Sequence, residues 1–119
     1  MSEFTDYLVE LFEQFGPVLV RRMFGGYGIY HDGVMFGLVV NDTLYLKADE
    51  TTVAAFESRG LGRFEYDKAG KKIHLSYYMA PEEIFDNPEQ AAVWARRACA
   101  VAVRAKARAR GPGKRRRKS

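Results

Sequence analysis

Residues 21–47 read RRMFGGYGIYHDGVMFGLVVNDTLYLK, and the alternation inside this stretch decides the fold. Tyr27 to His31 runs into Asp32-Gly33, a dipeptide suited to a two-residue type I′ turn because glycine takes positive φ without steric cost. Val34 to Val40 forms the next strand. With a side-chain period of two, Val34, Phe36, Leu38 and Val40 fall on one face and Met35, Gly37 and Val39 on the other. Asn41-Asp42 is the second turn, after which Leu44 and Leu46 continue the inner face and Tyr45 and Lys47 the outer one. The stretch predicts a three-stranded antiparallel meander with one face buried.

Working outward, Phe4, Leu8, Leu11, Phe12 and Phe15 follow the spacing of a helix with one apolar stripe, Ser2 serves as its N-cap, and Gly16-Pro17 stops it. Val18 to Phe24 leads extended into the meander, and Gly25-Gly26 permits a bend or bulge. Downstream, Asp49 caps a short helix over Glu50–Arg59, closed by Gly60. A second hairpin pairs Arg63–Tyr66 with Lys72–Tyr78 across the polar loop DKAGK. Pro81 opens a helical turn. Asn87-Pro88-Glu89-Gln90 starts a long helix toward Arg110, with Trp94, Ala98, Val101, Ala102 and Ala105 on its packed stripe. The expected fold is α+β: a two-layer domain on a five-stranded antiparallel sheet, in the order α-β-β-β-α-β-β-α. Phe36, Leu38, Leu44, Leu46, Ile73 and Leu75 are the expected sheet contribution to its core. The domain should occupy residues 1–110, and 111–119 should form a disordered basic tail, since KRRRK follows Gly-Pro-Gly with no apolar residue to bury.

The chain has 119 residues, 47% of them hydrophobic, which suits one domain with its own core. No apolar run approaches the ~20 residues of a membrane span, and no basic-then-apolar leader opens the sequence, so a cytoplasmic protein without membrane contact is expected. The single cysteine, Cys99, has no partner for an internal disulfide, in keeping with a reducing compartment. The net charge of +4 conceals a split. Residues 1–95 hold 8 Lys/Arg against 15 Asp/Glu, 8 − 15 = −7, whereas residues 96–119 hold 11 Lys/Arg and no acid. Attraction to nucleic acid should therefore concentrate at the C-terminus, on Arg104, Lys106, Arg108, Arg110, Lys114, Arg115, Arg116, Arg117 and Lys118.

Several blocks carry a family resemblance. Arg22-Met23-Phe24-Gly25-Gly26-Tyr27-Gly28-Ile29-Tyr30 comes first and is the most distinctive. Asp32-Gly33, Phe36-Gly37-Leu38, Leu44 to Lys47, Phe64 to Tyr66, Ser76-Tyr77-Tyr78, Pro81-Glu82-Glu83 and Trp94-Ala95 follow in order. Over about residues 5–105 the chain resembles the TfoX (Sxy) N-terminal domain family. The resemblance implies a secretion-chaperone-like α+β fold. It also implies kinship with bacterial regulators of competence genes, thought to act as co-activators beside the cyclic-AMP receptor protein. Those regulators carry a second, C-terminal domain with no counterpart in this sequence. The family brings no catalytic residues with it.

The residues themselves present no catalytic constellation, and no cofactor is expected. A phosphate loop needs a strand before it and a helix N-terminus after it, and after GGYG more strand follows. His31 and His74 lie in different hairpins without cysteine spacing, which reads as structural rather than metal-ligating. Cys99 sits in an alanine-rich helix with no histidine to activate it, and Glu82, Glu83 and Asp86 suit a helix start. Tyr30, Met35, Val39 and Tyr45 form a partly apolar patch on the second sheet face, where water-facing strands are usually polar. That patch is the expected surface for a protein partner, such as a transcription regulator, or for a homodimer. The leading expectation is a non-enzymatic regulatory or interaction module whose basic tail contacts DNA or RNA without sequence preference. The alternatives are a small enzyme or ligand-binding domain on the aromatic sheet face, and a single-stranded nucleic-acid binder. The last has aromatic strands beside basic residues in its favour, and the acidic body and the strand order against it.

Overall fold

The computed structural model describes residues 2–23 and 25–109. The first helix, α1 (Glu3–Leu11), starts as expected at Ser2: its hydroxyl accepts from the Thr5 amide while the Thr5 hydroxyl accepts from the Ser2 amide, a reciprocal cap. It ends before Phe15, yet Phe15 still packs on the core. A meander follows: β1 (Leu19–Met23), β2 (Gly26–His31), β3 (Val34–Val40) and β4 (Thr43–Lys47). After the short α2 (Val53–Glu57) comes the hairpin of β5 (Arg63–Lys68) and β6 (Lys71–Met79). A 3-10 turn, Glu82–Ile84, then leads to α3 (Pro88–Ala109), where the Asn87 side chain accepts from the Gln90 amide at 3.2 Å as the N-cap.

The fold is α+β with an antiparallel sheet, but the sheet has six strands rather than five, in the order β1-β2-β3-β4-β6-β5. The extra strand is the segment expected only to lead into the meander. Leu19–Met23 pairs antiparallel with β2, from Leu19 opposite Tyr30 to Met23 opposite Gly26, so the bend at the glycines is a hairpin reversal. The other hairpins turn where they were expected to. Both central residues of each turn have positive φ: Asp32 and Gly33 (49° and 80°), Asn41 and Asp42 (53° and 54°), Ala69 and Gly70 (51° and 82°). That is the type I′ requirement, whose twist matches the strands.

Helices cover one face of this sheet. Phe12 and Phe15 of the α1 segment meet Phe36 edge-on at 5.6 and 5.3 Å between ring centroids, and Phe56 of α2 meets Trp94 of α3 at 5.2 Å. Leu8, Leu11, Ile29, Val34, Val39, Leu44, Leu46, Ile84 and Ala98 complete the packing. Among the described residues no helix lies over the opposite face.

Strict alternation misplaces three of the expected core residues. In β3, Gly37 pairs with Ile29 but Met35 pairs with Tyr30, so Phe36 is an extra residue, a β-bulge. The bulge shifts the phase: Val34 and Phe36 face the helices before it, Gly37 and Val39 after it. Val39 is therefore buried at 1% exposure in the core, opposite Leu44, and leaves the surface patch assigned to it. Leu38, opposite Tyr45, turns to the helix-free side. Ile73 and Leu75 do the same, because β6 meets β4 with Tyr77 opposite Lys47 and Tyr78 opposite Leu46.

Candidate binding surface

The helix-free face is assembled by the same register. β1 contributes Leu19, Arg21 and Met23; β2 contributes Tyr30; β3 contributes Met35, Leu38 and Val40. Tyr45 and Lys47 come from β4, Ile73, Leu75, Tyr77 and Met79 from β6, and Phe64 and Tyr66 from β5. The surface is tightly tiled. A Cβ on Gly28 would lie 2.8 Å from the Met35 sulfur and 2.9 Å from that of Met23, so a side chain there would displace the thioethers that now close over the sheet beside the Tyr30 ring. Tyr77 reaches past Lys47 and donates its hydroxyl to the Met35 carbonyl at 3.3 Å. Burial, with Tyr30 nearby, pushes the Tyr77 phenol well above its ordinary value, so it stays a neutral donor. Tyr45 meets Phe64 edge-on at 5.0 Å, and Phe64 lies 6.0 Å from Tyr66.

Two cations lie on these rings. The Arg21 guanidinium is 5.7 Å from the Tyr30 centroid and the Lys47 ammonium 5.0 Å from that of Tyr77. Burial lowers the Lys47 pKa, with Asp49 acting in the opposite direction. Leu19 at 60%, Tyr66 at 39% and Met79 at 38% exposure show how much large apolar surface this face leaves in water. Of the four residues assigned to the patch from sequence, Tyr30, Met35 and Tyr45 lie here, half-buried, and Val39 does not.

At the end of the sheet, β4 and β6 meet α2 and the last turns of α3 around an open groove of about 330 Å³, lined among others by Lys47, Asp49, Glu50, Arg63, Tyr78 and Arg108. Its one strongly held carboxylate is Asp49, whose side chain is 10% exposed. Thr51 donates to it from both amide and hydroxyl, at 2.9 and 2.6 Å, and Arg104 lies at 3.1 Å. The Thr51 hydrogen bonds, and then Arg104, hold the Asp49 pKa below its ordinary value against the opposing effect of burial. A carboxylate held ionised in this way is a poor proton donor and serves as an anchor for α3.

These contacts bear on the basic residues assigned to nucleic acid. Arg104 is committed to Asp49 and Thr51, and Arg108 approaches Glu50 at 3.7 Å. Lys106 is exposed. Arg110, Lys114, Arg115, Arg116, Arg117 and Lys118, with the whole tail expected at 111–119, lie outside the described residues.

The two histidines and the cysteine lie apart from this face and make local contacts. The His31 ring packs on Phe15 at 4.5 Å, with Nδ1 2.8 Å from the Pro17 carbonyl, while His74 faces Glu65 at 3.7 Å. Burial, followed by the field of Asp32, pushes the Cys99 thiol up, away from thiolate reactivity. Among the described residues no group of three or more His, Cys, Asp or Glu could hold a metal, and no helix is long and apolar enough to cross a membrane.

The sequence of this two-layer α+β domain places it in a family. Residues 10–102 match the TfoX N-terminal domain, and the chain belongs to that family. Over 82 residues it is 29% identical to the DNA transformation protein TfoX1 of Aliivibrio fischeri and, at the same identity and length, similar to protein Sxy of Escherichia coli. The match takes in 69% of this chain but only 39% and 37% of those proteins, so the chain spans about two fifths of the length of these relatives.

Proposed function

We propose that this chain is a non-enzymatic regulatory module that acts by binding. Its helix-free sheet face takes a macromolecular partner, and its basic C-terminal end adds nucleic-acid contact without sequence preference. The uncovered face carries the reading. A soluble sheet that leaves Leu19, Tyr66 and Met79 to water, beside packed methionines and tyrosines, has the composition of the centre of an interface. The groove at the sheet's end is open, and its buried carboxylate is tied down by Thr51 and Arg104, which argues against the alternative of a small enzyme or ligand-binding domain. One relative is named a DNA transformation protein, which favours a role in transformation for this chain as well.

For the C-terminal end, the support is the run of 11 Lys/Arg without an acid over residues 96–119. Arg104 and Arg108 face acids of the body, so the reading rests mainly on residues 110–118. Engagement of about five of these charges should give a log-affinity against log-salt slope of about −4 to −5 on duplex DNA. Gel-shift titrations of the full chain and of a chain ending at residue 110, at two salt concentrations, test this. The slope should flatten in the truncated chain, whereas equal and negligible binding by both would end the nucleic-acid role of the tail. A pull-down from the native cell with and without nuclease tests the partner: retention of a protein after nuclease is expected, and loss of every bound species would overturn a protein partner.

A further inference from the structure

We propose that the occupant of the helix-free sheet face is a single-stranded nucleic acid. The inference rests on the reading of the chain as a binding module and names what the module binds.

The charge of the body is sorted between its two layers. Residues 1–95 sum to −7, yet their acids lie in the helices, in loops and turns, and at Glu65 and Asp67. Glu65 and Asp67 pair with His74 and Lys72 on the helix side of the hairpin. The charged residues that the register places on the open face are all cations: Arg21, Lys47, Lys68 and Lys71. The acidic character of the body, which on sequence argues against nucleic acid, is thus absent from the helix-free face.

That face combines the two elements a single strand requires. Tyr30 on β2, Tyr45 on β4, and Phe64 and Tyr66 on β5 supply π-surface on one side of the sheet, with Tyr45 and Phe64 meeting edge-on across β6, and base stacking on such rings is tolerant of sequence. The cations supply phosphate contacts. Lys47 also lines the groove at the sheet's end together with Arg63 and Arg108, but Asp49 and Glu50 oppose them there, so the phosphate contacts rest on the cations of the face itself.

The same charges decide against other occupants. A second copy docked face to face would set Arg21 and Lys47 against cations and bury them without an acid. A duplex keeps its bases stacked inside and offers none to these rings. An acidic peptide is the remaining competitor, and the experiment separates it.

Fluorescence anisotropy of the full chain, with labelled oligouridine, oligothymidine and a duplex of equal length as probes, tests the proposal. Tyr66 is exposed, so Tyr66→Ala leaves the core intact. It should weaken single-strand binding about ten-fold, and Tyr66→Phe should restore it. Arg21→Gln and Lys68→Gln should each reduce the single-strand salt slope by about 0.7. Duplex binding should respond to removal of residues 111–119 and not to these face variants. Single-strand binding no tighter than duplex binding, and indifferent to Tyr66→Ala and Arg21→Gln, would overturn the proposal. If the face variants instead strip a protein from the nuclease-treated pull-down while oligonucleotide binding stays unchanged, this inference falls and the binding-module reading stands.

Discussion

Val39→Ala tests the phase shift in β3 directly. Val39 is 1% exposed, opposite Leu44, on the helix-facing side of the bulge at Phe36. The substitution removes two buried methyl groups, at about 0.8 kcal/mol each, or about 1.6 kcal/mol of transfer free energy. The cavity left between the sheet and the helices cannot close fully, which raises the expected loss to about 2–3 kcal/mol. Without the bulge, Val39 would stand on the bare face and its truncation would cost under about 0.5 kcal/mol. Urea denaturation reads the difference as a fall in the midpoint at unchanged slope, and thermal melting as a decrease of roughly 10 °C. Val40→Ala, half-buried on the other side of the strand, is the internal control and should cost less than Val39→Ala. A loss below about 0.5 kcal/mol for Val39→Ala, or the reverse order of the two, would refute the register.

Phe36→Ala should cost about 3–5 kcal/mol by the same assay, because Phe36 is fully buried and meets Phe12 and Phe15 edge-on; a loss below about 1 kcal/mol would remove it from the core. Asp49 gives a pH prediction. Its folded pKa is lowered, chiefly by the Thr51 hydrogen bonds, so its contribution is fully present above the ordinary value of 3.8 and is lost as pH falls through the lower folded value. Asp49→Asn should therefore lower stability at neutral pH and flatten the acid limb below about pH 4, as followed by melts across pH; an unchanged acid limb would refute the role given to the carboxylate.

The elements themselves were legible in the sequence because their signals are local. Asp32-Gly33 and Asn41-Asp42 mark turns by backbone preference alone, Ser2 and Asn87 cap helices through their own hydroxyl and amide groups, and Trp94, Ala98, Val101 and Ala102 follow the 3.6-residue period. The family blocks, being linear, were equally legible. The facing of the strands was not. One extra residue at Phe36 inverts everything after it in β3, and Gly37 beside it was the only hint, since glycine inside a strand often marks a bulge. Leu19–Met23 escaped notice as a strand because an edge strand with Arg21 and Arg22 in it lacks a clean alternation.

The candidate surface shows the same division. Sequence determined which residues this protein has: tyrosines and methionines in its strands, an acidic body and a basic end. Only the tertiary structure decided that Ile73, Leu75 and Tyr77 join Tyr30, Met35 and Tyr45 on a bare face, that Val39 does not, and that no acid accompanies them there. The reason is physical. A chain sums its charges along one dimension, whereas a sheet sorts them into two sides by pairing strands distant in sequence, and that register is fixed by which side the helices bury.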